Sequence, residues 1–297
     1  FAAVVQGEAM RRPDGRERDA LLDLLVNLYD AHGDRDEALA GLVPNPLARL
    51  AVLPQSPSTN TRLIDSVRSE GEAWPHLAAV VADHQTAGRG RAGRTWVTPR
   101  GAALTASFLL RPEHVDRSQY GWAPLIAGLA TVRALRRLGV GAWLKWPNDV
   151  VVEAGVRDIP GWGRWRKVVG ILCETVDDAV VVGIGINVSQ ESGELPVPHA
   201  ASLATLGATG LDRVALLRAL AAELRDAAGQ WDAGADMRGQ VERVTATLGW
   251  DVAVDVPDGP PVAGRATGLA EGGALVVRTA AGEDRVVLAG DVRVRRG

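Results

Sequence analysis

The stretch 85–96, QTAGRGRAGRTW, places Gly88, Gly90 and Gly93 directly behind the apolar run LAAVVADH. By spacing this is G-x-G-x-x-G after a strand, the pattern of a dinucleotide-binding turn. That turn requires a helix opening at the third glycine, so that its N-terminus faces the phosphates. The residues that follow, RTWVTPRGAALTASFLL, do not supply one. Thr95, Trp96, Val97 and Pro99 open a helix poorly, and Gly101 interrupts whatever would follow. Glu113 stands about where a ribose-binding acid is expected, but no ten-residue helix (about three turns) fits in between. The chain is therefore expected to join two strands here through a loop, which argues against a doubly wound nucleotide fold. The loop keeps a glycine frame that can turn successive backbone N–H groups into one concavity. It also keeps Arg89, Arg91 and Arg94, whose forked donors suit phosphate or carboxylate oxygens. By itself the same stretch reads equally as a solvated basic hairpin.

A length of 297 residues suggests two domains, or one large domain with an appendage. The net charge of −3 gives no global electrostatic case for a nucleic-acid partner. Cys173 is the single cysteine, which excludes an intrachain disulfide and a cysteine-built zinc site. Its strand-like setting, GILCE, suggests a small buried hydrophobe rather than a nucleophile. The five histidines show no metal-ligand spacing. No apolar run reaches the length of a membrane span, and residue 1 onward lacks a secretory pattern, so the expected location is cytoplasmic with no membrane partner.

Three textures follow one another along the chain. Residues 1–45 are mixed and mildly acidic, with ALLDLLVNLYDAH reading as an amphipathic helix that Asp19 could cap; VPNP then breaks the chain. Residues 46–244 alternate short apolar runs with two long helical patterns. The runs LARLAVLP, LAAVVADH, ALTASFLLRP, AWLKWP, KVVGILCETV and AVVVGIGINV read as strands. DRSQYGWAPLIAGLATVRALRRLG reads as a helix capped by Asp116 and stopped by Gly139, with Trp122, Leu125, Leu129, Val132 and Leu135 on one face. DRVALLRALAAELRDAAGQW reads as a second helix. Residues 245–297 alternate apolar and polar positions with turn signals every eight to ten residues, about as a small unit of five strands requires. The fold class is thus α+β: a mixed sheet with helices, followed by a small all-β unit.

SPSTN at 56–60, the arginine-glycine loop, KWPNDV at 145–150, and KVVGILCE at 167–174 leading into GIGINV at 183–188 are each weak signals alone. In this order they resemble the biotin protein ligases, which activate biotin as biotinyl-5′-AMP and attach it to a carrier-protein lysine. The resemblance covers residues 50–297. It implies a catalytic mixed sheet similar to that of class II aminoacyl-tRNA synthetases and an SH3-like C-terminal barrel. It also implies biotin as substrate, ATP and Mg²⁺ as cofactors, and a biotin carboxyl carrier protein as partner. Lipoate ligases share the fold and the lysine chemistry, but the arginine-glycine loop and KWPNDV argue against that reading.

The resemblance also implies residue roles. Ser58, Thr59, Asn60 and Gln85 would hold the biotin ring. Gly88 and Arg89 would close over biotin, and Gly170 and Gly185 would leave room beside it. Arg91 and Lys167 would touch both biotin and the α-phosphate. Arg94 would meet the ATP phosphates, Trp96 would lie near the adenine, and Asn148 and Asn187 would serve the nucleotide. Asp149 would sit at the nucleotide and its Mg²⁺, and in the transfer step it either accepts the carrier lysine's proton or orients its amine, or else only fixes the Lys145 region and the metal. Lys145 is either an interior charge paired with a carboxylate or a second phosphate contact. The loop is expected to be mobile without ligand, its glycines and exposed charges giving it little to pack on.

Two features depart from the family pattern. Residues 150–166, with Pro160 and two tryptophans, replace what is often a tight turn; they form either a carrier-docking flap or a tolerated surface insertion. Residues 1–45 lack a basic recognition helix, so neither a DNA partner nor a bifunctional ligase and regulator is expected. The oligomeric state stays open, a homodimer included.

Overall fold

The computed structural model describes residues 4–6, 10–11, 41–154, 157–210, 212–257 and 259–295. The helix expected over ALLDLLVNLYDAH lies outside them. What is described near the N-terminus was not expected: β1 (Val4–Gln6) pairs antiparallel with β2 (Met10–Arg11) and with β3 (Arg49–Leu53). A short apolar run can take this place because β3 otherwise presents an unpaired edge.

The remaining strands of the main sheet are β4 (Ala78–Ala82), β5 (Ala103–Leu110), β6 (Ala142–Lys145), β7 (Asp149–Glu153), β8 (Trp165–Val176) and β9 (Ala179–Asn187). They assemble in the order β2-β1-β3-β4-β5-β9-β8-β7-β6. Only β3 and β4 run parallel, and the crossover between them is α1 (Thr59–Glu70). All eight residues of β5 are buried, as expected of a central strand covered on both faces.

Helices cover the two faces differently, and that difference creates the site. On one face α1 turns Leu63 and Val67 onto Ala78, Val80, Leu109 and Val181. Each of those two side chains contributes about 2 kcal/mol by burial. On the other face α2 (Ala123–Arg137) packs on β6, β7, β8 and β9, and α3 (Arg213–Asp232) packs against α2 and on β5. The five residues expected on the inner face of α2 are all buried. Asp116, however, caps a 3₁₀ turn (Arg117–Trp122) by accepting from Ser118 N, and the α-helix begins only at Ala123. Pro124 explains the break: its fixed φ and missing N–H suit the first turn of a new helix. Asp212 caps α3, accepting from Val214 N and Ala215 N. A short helix α4 (Arg238–Glu242) precedes the second sheet.

That sheet contains β10 (Asp251–Asp255), β11 (Val262–Leu269), β12 (Leu275–Arg278), β13 (Asp284–Val287) and β14 (Asp291–Val294), antiparallel throughout, in the order β13-β12-β11-β10-β14. The five strands expected from the alternation are present. The second sheet is tied to the first through Trp146, buried to 1 % exposure, whose indole N–H donates to Gly273 O at 2.9 Å. Residues 244–246 also run along β6, with Leu144 N bonding Val244 O and Ala246 N bonding Leu144 O, both at 2.8 Å. β7 was not anticipated as a strand, because its residues read as the start of the 150–166 departure.

Candidate active site

α1 covers only part of its face of the sheet, and beyond its N-terminus the strands carry small residues in register. Thr105 and Ser107 of β5 stand opposite Gly185 and Gly183 of β9, and Gly170 of β8 stands opposite Gly185. The glycines make room for two side chains. A Cβ on Gly185 would lie 2.6 Å from the Trp96 ring, one on Gly170 2.9 Å from it, and one on Gly183 2.2 Å from Asn60 Oδ1. The Trp96 indole therefore lies flat across a cross-strand glycine pair. Its Nε1 is buried and has no hydrogen-bond partner among the described residues.

One end of this bay is polar and mostly neutral. Gln85 Oε1 accepts from Thr59 N (2.8 Å) and Thr59 Oγ1 (3.1 Å). Ser107 Oγ lies 2.7 Å from Thr59 Oγ1 and 2.6 Å from Asn60 Oδ1. Asn60 Nδ2 donates to Leu172 O and to Glu174 Oε2, the latter at 2.8 Å. Ser58 caps α1 and is buried with Thr59 and Asn60. These groups form a fixed set of donors and acceptors at a helix N-terminus, suited to a compact polar ring.

The other end is cationic. Lys167 Nζ lies 2.5 Å from Asp149 Oδ1. Burial pushes the Asp149 carboxyl upward, but Lys167 and Lys145 together outweigh it and hold the group below its ordinary range. Lys145 is 3 % exposed, and burial, helped by Lys167, Arg94 and Arg91, lowers its ammonium to about 8 against the pull of Asp149. Arg91 donates to Asn148 Oδ1 (3.1 Å), and Asn148 Nδ2 donates to Ile171 O (2.7 Å). His199, whose carbonyl accepts from Lys167 N, is lowered to about 4 by burial and by Lys167, and so is neutral at pH 7.

The glycine loop closes over this bay as a small hairpin between β4 and β5. Arg89 bridges to Thr95, Trp96 N bonds Gly88 O at 2.8 Å, and Gly93 takes φ +72°. Gly88 is required by a close approach: a Cβ there would stand 2.3 Å from Trp96 O. At the loop's base the buried carboxylate of Asp83 pairs with Arg213 at 2.7 Å. Contrary to the expectation that the loop has little to pack on, three arginines fasten it. Arg89 pairs with Glu174 (2.6 Å), Arg91 bonds Asn148, and Arg94 pairs with Asp291 of β14.

Ser58, Thr59, Asn60, Gln85, Arg89, Arg91, Arg94, Trp96, Asn148, Asp149, Lys167, Gly170 and Gly185 all line one cleft of about 700 Å³, part of it open to solvent. Gly88 shapes the loop from outside the lining. Asn187 also stands outside it, its amide donating to Ala201 O and accepting from Gln190. Sequence reasoning missed Glu174, Ser107, Gly183, His199, Trp162 and Asp291. Gly183 alone carried a signal, the period-two glycines of GIGIN.

A mixed sheet with a glycine-floored bay, neutral polar groups at one end and paired cations at the other, defines a protein that holds a small ligand with an anionic tail. Comparison with known proteins makes this specific. Residues 52–191 match the biotin/lipoate A/B protein ligase family, and residues 247–295 match the biotin protein ligase C-terminal domain. The chain is 34 % identical over 249 residues to the biotin–[acetyl-CoA-carboxylase] ligase of Mycobacterium tuberculosis, covering 82 % of this chain and 88 % of that one. It is 37 % identical over 186 residues to the bifunctional ligase/repressor BirA of Escherichia coli, covering 60 % of this chain and 53 % of that one. The solved biotin protein ligase of Aquifex aeolicus in complex with biotin and ATP superposes with a TM-score of 0.66 at 30 % identity, covering 84 % of this chain and 99 % of that one. The chain belongs to the biotin protein ligase family.

Proposed function

We propose that this protein joins biotin to ATP, forming biotinyl-5′-AMP and pyrophosphate, and then transfers the biotinyl group to a lysine of a biotin carboxyl carrier protein. The supporting observation is the polarity of the cleft: a fixed neutral hydrogen-bonding end, a floor under Trp96, and Arg91 with Lys167 at the far end. The ureido ring goes to Thr59, Asn60 and Gln85, and the carboxylate tail reaches toward Lys167. That carboxylate is already ionised at neutral pH, so the first step needs no base. Its oxygen attacks the α-phosphorus, and the bond to pyrophosphate breaks. The obstacle is bringing anions together, which Arg91, Arg94 and Lys167 offset with fixed positive charge.

In the second step the carrier lysine, having given its ammonium proton to water, attacks the acyl carbon through its amine; the carbon–oxygen bond to AMP breaks, AMP leaves as its phosphate anion, and the nitrogen's surplus proton passes to water. With its carboxyl held acidic by two ammonium groups, Asp149 is a poor base, so its role is to orient the incoming amine. Mg²⁺ enters with ATP. Among the described residues no group of three or more His, Cys, Asp or Glu side chains is placed to hold a metal ion. Asp149, already paired with Lys167, would be the protein carboxylate nearest to such a cation, and the cation would offset negative charge on the phosphates. Residues 46–244 form the binding unit and 245–297 the second unit. No helix among the described residues is long and apolar enough to cross a membrane, which is compatible with a cytoplasmic enzyme.

The test is pyrophosphate release from biotin, ATP and Mg²⁺ by the intact chain, with biotinylation of a carrier domain as the second readout. Arg91→Ala and Lys167→Ala are each expected to lower the rate by about 10²-fold or more. No release with biotin, or preference for lipoate, would overturn the reading.

A further inference from the structure

Residues 154 and 157–164, between β7 and β8, have a definite structure. Ala154 N bonds Arg164 O, Ile159 N bonds Gly163 O, and Gly161 O accepts from Val294 N of β14 at 2.9 Å. These bonds fix Trp162. Its indole stacks on the His199 ring, with centroids 4.0 Å apart and planes 9° from parallel. The same indole carries the Lys145 ammonium, whose Nζ lies 4.4 Å from its centroid. Among the described residues no carboxylate lies within ion-pair distance of Lys145. Asp149, its cross-strand partner, is engaged by Lys167 instead.

Of the 33 lysines and arginines in the chain, only Lys145 and Lys167 are lysines, and both stand against Asp149. A chain that uses arginine everywhere else keeps the compact, flexible ammonium at both of these positions. Two such groups beside one carboxylate compete for it. We infer that Trp162 is a positioning residue: its indole holds the Lys145 ammonium in a cation–π contact and so reserves Asp149 for Lys167, the cation that faces the cleft. The 150–166 departure from the family pattern thereby has a task other than carrier docking. Trp is the side chain best suited to it, because its face binds a cation most strongly and carries no charge of its own.

The test is a double-mutant cycle between Trp162→Leu and Lys145→Met. Its activity arm rests on the function proposed above. There, Trp162→Leu lowers kcat for pyrophosphate release about tenfold, since misplacement of a charged group near the reaction costs at least that. The KM for biotin changes little, and Trp162→Phe recovers most of the loss. In the Lys145→Met background, Trp162→Leu has no further effect. An equal loss in that background, or no recovery with Phe, overturns the inference. A ligand-free arm follows urea unfolding of the same four proteins, in which the shifts in midpoint must be non-additive; additive shifts overturn it as well. If the unaltered chain releases no pyrophosphate, the proposed function fails, and the unfolding arm still decides this one. If Trp162→Leu does not fold, Trp162→Phe replaces it in both arms, with the same non-additivity expected at smaller amplitude.

Discussion

Arg94 of the glycine loop and Asp291, the first residue of β14, form an ion pair that joins the two sheets beside the cleft. The two side chains are 58 % and 46 % exposed, so the pair contributes only about 0–1 kcal/mol to stability. Its importance is competitive, because phosphate oxygens drawn to Arg94 must take it from Asp291. Asp291→Asn is expected to leave the unfolding midpoint nearly unchanged and to tighten ATP binding several-fold. Titration calorimetry measures this directly, and unchanged or weaker ATP binding would count against the competition.

Adding a methyl group beneath Trp96 tests the glycine floor. In Gly185→Ala the new Cβ would stand 2.6 Å from an indole seated against the strand, and backbone cannot retreat from a central sheet. The expected cost is about 1–3 kcal/mol of stability. Biotin affinity falls at least tenfold because the indole must lift into the space the ligand needs. Fluorescence of the tryptophans with and without biotin would report both, and an unaffected affinity would show that ligand and indole do not share the bay.

His199 makes stability depend on pH. Its imidazole is lowered to about 4 in the fold, by burial and by Lys167, against an ordinary value of 6.5. Between those values the unfolded chain binds a proton that the folded chain does not, so stability falls as pH drops through 6.5 and the loss is complete near 4. His199→Gln should flatten that part of the stability–pH curve. A curve of the same slope in the variant would assign the loss to other groups.

Glu174 holds the loop from the neutral, polar end of the cleft, accepting from both Asn60 and Arg89. Glu174→Gln keeps an acceptor for Asn60 and removes the charge that retains Arg89. Trypsin should then cut after Arg89 faster in the absence of ligand, and biotin with ATP should slow the cleavage in both proteins. Equal rates in the ligand-free proteins would mean that Arg91 and Arg94 fasten the loop without help.

How legible was all this in the sequence? The buried strands were, because LAAVVADH and ALTASFLL are apolar runs too short for helices and bounded by turn residues. The arginine-glycine loop and KWPNDV located nine of the twenty residues that line the cleft, since those motifs are contiguous in the chain. Glu174, His199 and Asp291 were not legible, because each meets its partner only after strands far apart in sequence have paired. Asp116 misled for a local reason: a cap fixes where a helical turn begins, and Pro124 decided where the α-helix itself does. Trp162 was read as part of a surface departure because nothing near it in sequence hints at a buried ammonium waiting across β7.

The run of chain at 244–246 has a consequence for the molecule as a material object. By bonding Leu144 on both sides it acts as a selvage for the main sheet, finishing the border that β6 would otherwise leave raw. Raw sheet borders recruit other chains. An enzyme cut before residue 244 to isolate its catalytic half would lose that hem, together with the carbonyl that accepts the Trp146 indole, and would be expected to stick to its own copies before it could be assayed.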